Sequence, residues 1–306
     1  MSVFLGIDTS NYTTSMAVCD ENGVLLNERK LLEVKEGERG LRQSDAVFAH
    51  VNNISEIAER IGKHNIRAIG CSSKPRDIEG SYMPCFKVGE SVAETMGHIL
   101  GVPIFKFSHQ TGHVTAAAYS ADRMDLLNKE FNAFHVSGGT TEILHCDGTS
   151  GKLVIENIGG TLDLNAGQAI DRTGVLLGLK FPCGPALEKM AELGKLLFPP
   201  SVCVKGLECN LSGLENKVQN LKSENTDAND IALYALKFIE KTLDKLTSNL
   251  RKEYDLPIIF AGGVMSNNMI KKTLSKYKDA YFAEREFSAD NAAGIALLTR
   301  EKFLKI

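Results

Sequence analysis

Apolar positions in this chain gather in short runs that alternate with stretches of helical period. Val3-Phe4-Leu5-Gly6-Ile7, Met16-Ala17-Val18 and Val24-Leu25-Leu26 predict strands over 3–9, 14–19 and 24–32. Val47, Val51, Ile54, Ile57, Ala58 and Ile61 then recur three and four apart, which predicts a helix over 45–62. A buried strand at 66–71, a helix at 86–100 and a strand at 102–107 follow. The second half opens the same way, with strands at 131–137, 141–146 and 152–158 and helices at 165–177, 184–194 and 227–252. A strand at 257–261, a helix at 266–276, a short strand at 280–283 and a helix from about 289 close the chain. The stretch 198–226 has weaker periodicity and reads as an insertion.

Three strands in a meander, then helix, strand, helix and strand, is the order of a ribonuclease-H-like unit, and it occurs twice. Such alternation predicts an α/β fold with sheets covered on both faces. Each half also opens on one small motif. Val3-Phe4-Leu5-Gly6-Ile7-Asp8-Thr9-Ser10 closes through Thr13-Thr14 into a second strand. Phe134-His135-Val136-Ser137-Gly138-Gly139-Thr140-Thr141 closes into Ile143-Leu144. Gly and Ser at such a turn let the backbone approach a ligand, and the exposed N–H groups form an anion cradle. Two ordinary hairpins would read the same way.

The chain has 306 residues and a net charge of −3, so no global field attracts nucleic acid or acidic membranes. Any RNA contact needs a local basic patch or a partner subunit. The seven cysteines are scattered without CxxC spacing, which favours reduced thiols in a cytoplasm over a disulfide framework or a structural zinc site. No signal peptide is read at the N-terminus. No apolar run approaches the ~20 residues of a membrane span.

Two histidines, His109 and His113, stand one helical turn apart in Ser108-His109-Gln110-Thr111-Gly112-His113, with Ser108 as helix cap. That spacing can chelate one ion, or simply present two surface imidazoles. Asp290, at the start of the last helix, is a candidate third ligand or a first-turn acid. Two His and one carboxylate leave open coordination positions, as in catalytic zinc and non-haem iron sites. Ile258-Ile259-Phe260-Ala261-Gly262-Gly263-Val264 runs a buried strand into paired glycines and a helix, a junction that suits a nucleotide or a plain tight turn. It is not GxGxxG, so a Rossmann reading is poor. Asp171 and Glu188 are carboxylates placed to hold ligand hydroxyls or to serve as surface acids.

In order, these pieces resemble the TsaD family, the threonylcarbamoyl-transferring subunits of the tRNA threonylcarbamoyl-adenosine pathway. Val136-Ser137-Gly138-Gly139-Thr140-Thr141 is similar to the family's VSGGHT. Asn165 to Arg172, with Leu176-Leu177-Gly178-Leu179 and Phe181-Pro182-Cys183-Gly184-Pro185, is similar to DAAGEAFDK…LLGL.YPGGP. Ala261-Gly262-Gly263-Val264-Met265-Ser266-Asn267 is similar to AGGVSAN. The resemblance implies an ASKHA fold, the duplicated, two-lobed actin and sugar-kinase architecture. It implies an N-terminal lobe over 1–107, completed by a C-terminal helix over about 291–306, and a C-terminal lobe over 108–290 with the metal and nucleotide site. The implied metal ligands are His109, His113 and Asp290, with iron or zinc ahead of magnesium. The implied ligand positions are His135, Val136, Ser137, Gly138, Gly139, Asp171, Gly184 and Asn267, and Glu188 with less weight. The implied ligand is ATP or a carbamoyl-adenylate, and the implied acceptor a tRNA adenosine.

The departures cluster in the first third. The family's ETSCDET stands here as Asp8-Thr9-Ser10-Asn11-Tyr12-Thr13-Thr14, without the two later acids. GGVVPELASRxH has become 40–50, ending in His50, and the glycine-rich PGLxGSL is replaced by Lys74-Pro75-Arg76-Asp77-Ile78-Glu79-Gly80-Ser81. The chain therefore reads as a divergent paralogue that transfers a carbamoyl-type group from an adenylate to tRNA adenosine or to another acceptor. On this reading the amides of Ser137 to Gly139 hold the phosphate, and Asp171 and Asn267 orient the nucleotide. No Ser-His or Cys-His nucleophile is found, so positioning and electrostatics supply the rate. No general base is named; Asp8 and His50 are candidates. The alternative is a catalytically reduced nucleotide-binding scaffold or regulatory subunit that pairs with a true transferase. The expected partners are an adenine nucleotide, a related ASKHA protein in a homo- or heterodimer, and tRNA reached through partner subunits. A small-molecule kinase ranks below both, because acids are missing after Asp8. A metallopeptidase ranks last, because no Glu adjoins the histidines.

Overall fold

The computed structural model describes residues 2–10, 12–33, 41–288 and 292–306. The chain divides into two compact units, Met1–Met124 with Glu286–Ile306, and Asp125–Arg285. Among the described residues no helix is long and apolar enough to cross a membrane.

The first unit is built on β1 (Ser2–Ser10), β2 (Thr13–Cys19), β3 (Val24–Leu31), β4 (Asn65–Lys74) and β5 (Ile104–Ser108), in the order β3-β2-β1-β4-β5. β1, β2 and β3 form an antiparallel meander, while β4 and β5 run parallel to β1. Its first three helices are α1 (Gln43–Ile61), α2 (Phe86–Leu100) and α3 (His109–Ser120). Side chains alternate across a strand, so the apolar run of β1 fills both faces of the sheet. Val3, Leu5 and Ile7 join Ile57 and Ile61 of α1 and Ala93 of α2 in one core.

The second unit repeats the plan. β6 (Glu130–Val136), β7 (Thr141–Asp147) and β8 (Val154–Thr161) form an antiparallel meander. α4 (Ala166–Leu176) and α5 (Gly184–Glu192) follow, then β9 (Cys203–Lys205), β10 (Glu208–Asn210), α6 (Gly213–Ser223) and the long α7 (Ala228–Glu253). β11 (Ile258–Ala261), α8 (Asn268–Leu274) and β12 (Ala280–Phe282) complete it. The sheet order is β12-β11-β6-β7-β8-β10-β9, with β11 parallel to both β6 and β12. Its first five strands, read from β8 to β12, have the order of the first sheet; β10 and β9 extend the β8 edge. The duplicated α/β architecture expected from the sequence is therefore observed.

The chain then returns to the first unit in α9 (Ala293–Phe303), which covers the other face of β1. Gly6 lies at this contact: a Cβ there would sit 2.4 Å from the Ala296 nitrogen. Only a glycine lets the helix backbone come this close to the strand.

Three differences from the sequence reading have physical causes. α3 packs on α9 and groups with the first unit, so the boundary falls after residue 124 rather than 107. A Cβ on Gly294 would lie 1.9 Å from the Gly112 oxygen, which shows how close the two helices run. The stretch 198–226 folds into the β9–β10 hairpin and α6. Its three-residue strands are too short to display a period. The helix expected over 266–276 is a 3-10 turn at Gly263–Ser266 followed by α8, because the Asn267 side chain caps the Ile270 N–H at 3.1 Å and restarts the helix.

Candidate functional site

β5 leads directly into α3, so the histidine helix begins at the end of a core strand. Ser108 accepts the Thr111 N–H at 3.1 Å, the expected cap. The Pro75 carbonyl accepts the Gln110 N–H at 3.0 Å, and Asp77 accepts the Thr111 hydroxyl at 3.1 Å while pairing with Lys74 at 2.9 Å. The segment Lys74 to Asp77 thus clasps the first turn of α3. Burial alone would raise the Asp77 carboxyl, but Lys74 and the Ser108 and Thr111 hydroxyls hold it below the usual carboxylate range.

On that turn the Nε2 atoms of His109 and His113 approach to 2.9 Å. Two imidazole nitrogens bound to one ion at ~2.1 Å lie ~3 Å apart, so the pair suits a shared cation. Behind it, Asp8 Oδ2 is 3.0 Å from His109 Nδ1, and Asp8 Oδ1 accepts the Ser72 hydroxyl. Among the described residues no set of three or more His, Cys, Asp or Glu is arranged to hold a metal. Asp290, the expected third ligand, lies outside the described residues.

His50, the other base candidate, is fully buried on α1, with Nδ1 2.8 Å from the Thr14 hydroxyl and Nε2 without a partner. Burial pushes its pKa below the ordinary imidazole value, against the opposing pull of the Asp8 charge. Burial also pushes the Cys85 thiol up to about 11 and the Cys71 thiol up to about 12, so neither is a nucleophile near neutrality.

The second unit holds a cleft of about 510 Å³. Gly138, Asp171, Gly184, Glu188 and Asn267 all line it, from four separate stretches of sequence. The Asp171 carboxylate accepts the Cys183 N–H at 2.8 Å, and burial raises its pKa despite that bond. Glu188 Oε1 accepts the Asn268 N–H at 2.7 Å. His135, Val136, Ser137 and Gly139 are not among the cleft's walls. Val136 is fully buried, and Gly139 lines a separate cavity of about 390 Å³ with Thr140. The Ser137 N–H donates to the Thr140 carbonyl at 2.8 Å, so this amide closes the turn instead of facing an anion.

The glycines here divide by cause. Gly262 has a φ of +102°, and a Cβ on it would meet the Val136 carbonyl at 2.1 Å, so the protein itself requires it. Gly138, Gly184 and Gly263 line the cleft with nothing within 4 Å of a Cβ and no positive φ. Their own fold does not demand glycine; the close approach of a ligand would.

Sequence reasoning missed Ser72, which carries no motif, and the cleft's Lys271 and Arg285. It also missed Asp163. Burial alone would raise that carboxyl, but the Ser212 hydroxyl and the Leu211, Leu164 and Ser212 amides hold it well below the usual range. Its position just before α4 was the only available signal.

A family model described as "tRNA N6-adenosine threonylcarbamoyltransferase" (TsaD) matches residues 45–297. A probable bifunctional tRNA threonylcarbamoyladenosine biosynthesis protein of Thermoplasma volcanium is 26% identical over 96% of the chain, which spans 55% of that relative's length. A tRNA N6-adenosine threonylcarbamoyltransferase of Herminiimonas arsenicoxydans is 29% identical over 95% of the chain and 89% of its own. Among solved structures, HypF of T. kodakarensis superposes with a TM-score of 0.60 at 14% identity, over 99% of this chain and 48% of that one. At that identity the likeness is one of fold, the ASKHA type.

Proposed function

We propose that this chain, which belongs to the TsaD family, transfers a carbamoyl-type group from an adenylate donor, with threonylcarbamoyl and tRNA adenosine as the leading group and acceptor. The observation that carries the reading is the convergence of Gly138, Asp171, Gly184, Glu188 and Asn267 on one cleft. Its size suits a nucleotide, since small-molecule pockets run from about 300 to 1,000 Å³. Gly138 offers its amide to a phosphate oxygen, and the open space at Gly138, Gly184 and Gly263 admits the ligand against backbone. Asp171 keeps one oxygen on the Cys183 amide and turns the other to a ligand hydroxyl. Lys271 and Arg285 supply positive charge at the cleft for the phosphate.

His109 and His113, with Asp290 as the third ligand, would hold one zinc or iron ion. When bound, that ion would supply a Lewis acid. In the transfer the acceptor amine forms a C–N bond to the carbonyl carbon. The acyl–phosphate C–O bond breaks, AMP departs and the amine gives up one proton.

The test is equilibrium binding of ATP, followed by transfer of labelled threonylcarbamoyl from its adenylate to tRNA. Binding that weakens at least tenfold in Asp171→Ala, with label appearing in tRNA, is expected. Absence of ATP binding overturns the reading. The scaffold alternative draws on the loss of the acids after Asp8 and on the burial of both Asp8 and His50. ATP binding without turnover on any acceptor selects it.

A further inference from the structure

We propose that Asp8 is a positioning residue: its carboxylate, braced by Ser72, fixes the His109 ring so that Nε2 faces His113. The inference rests on the reading of the two histidines as metal ligands.

Asp8 is fully buried. A buried carboxylate is costly unless its oxygens are hydrogen-bonded. Both are engaged. Ser72 stands beside it because β1 and β4 run parallel, with Ile7, the residue before Asp8, opposite Cys71, the residue before Ser72. The Ser72 hydroxyl donates to Oδ1, and Oδ2 lies 3.0 Å from His109 Nδ1. With Oδ2 as the acceptor, Nδ1 is the donor of this bond. Nε2 then carries the lone pair, and it is this atom that meets His113 Nε2 at 2.9 Å. The Phe86 ring, 5.9 Å from the imidazole between centroids, gives the His109 ring an apolar neighbour. A carboxylate on the rear nitrogen of a ligating histidine fixes its tautomer and raises its basicity. Full burial and two committed oxygens suit this role better than proton abstraction from a substrate.

The experiment has two independent readouts on wild type, Asp8→Ala and Asp8→Asn. The first is the His109 tautomer in metal-free protein, read by long-range 15N–1H correlation above the imidazole pKa. Wild type should show Nδ1–H, and Asp8→Ala a shift toward Nε2–H. The second is Zn2+ affinity by chelator competition. Asp8→Ala should weaken it about 10- to 100-fold, the range for losing such a partner. Asp8→Asn, nearly isosteric and still an acceptor, should weaken it less and guards against simple misfolding. A wild-type His109 already protonated at Nε2 overturns the inference, as does unchanged Zn2+ affinity in variants that melt like wild type. If wild type binds neither Zn2+ nor Fe2+, the metal reading fails, while the tautomer still decides the role of Asp8.

Discussion

Glu188 on α5 accepts the backbone N–H of Asn268 at the start of α8, at 2.7 Å. The bond ties together two helices that wall the cleft. Replacing Glu188 with Ala should destabilise the protein by about 1 kcal/mol, the size of a partly exposed charge-assisted hydrogen bond. It should also weaken ATP binding about tenfold, because the wall loses its brace and a carboxylate. Glu188→Gln keeps an acceptor and should restore most of the stability. Thermal melts with and without ATP separate the two effects; equal ATP binding in both variants would refute the brace.

Gly138 and Gly262 should respond in opposite ways to alanine. Gly138→Ala has room for its methyl and should change stability by less than about 0.5 kcal/mol. Its ATP affinity should still fall, since the methyl enters the cleft. Gly262→Ala forces a side chain into a left-handed conformation against the Val136 carbonyl and should cost about 3 kcal/mol. Denaturant unfolding and ATP titration on both variants check this. Loss of stability without loss of binding in Gly138→Ala would remove the glycine argument for the ligand.

His50 should give the protein a pH-dependent stability on the acid side. Burial lowers its folded pKa, so the unfolded chain takes up the proton first, and protonation pulls toward unfolding. The His50 contribution is complete above the unfolded pKa of ~6.5 and is lost as pH falls from there through the folded pKa. Denaturant midpoints from about pH 7.5 down to 5 should fall in wild type and flatten in His50→Asn, whose amide can still reach Thr14. An unchanged slope in the variant would assign the effect elsewhere.

Asp77 should hold the histidine helix by its first turn. Asp77→Ala removes the acceptor of the Thr111 hydroxyl and the partner of Lys74, and a negative charge from the helix N-terminus. A loss of about 1 kcal/mol is expected. Hydrogen exchange should speed up at the amides of α3 before those of α2. Uniform acceleration across the unit would mean that Asp77 acts on global stability alone.

The sequence by itself determined most of the elements and their duplication, though not the short β9–β10 hairpin and α6. The apolar run Val3-Phe4-Leu5-Gly6-Ile7, and the three-and-four spacing through Ile57 and Ile61, follow from which faces must leave water. It also fixed the local chemistry that lies within one turn: Ser108 caps α3, and His109 meets His113 because four residues make about one turn of helix. Tertiary structure decided whatever depends on residues far apart in the chain. Asp8 reaches His109 across 101 positions, and Ser72 reaches Asp8 across 64, only because β1, β4 and β5 lie side by side in one sheet. The same holds for the cleft, where Gly138 joins Asp171 and Asn267 while its neighbour Gly139 faces another cavity. A linear motif names both glycines alike. Which of them lines the cleft is settled by the direction of the backbone at a single turn, and no periodicity encodes that.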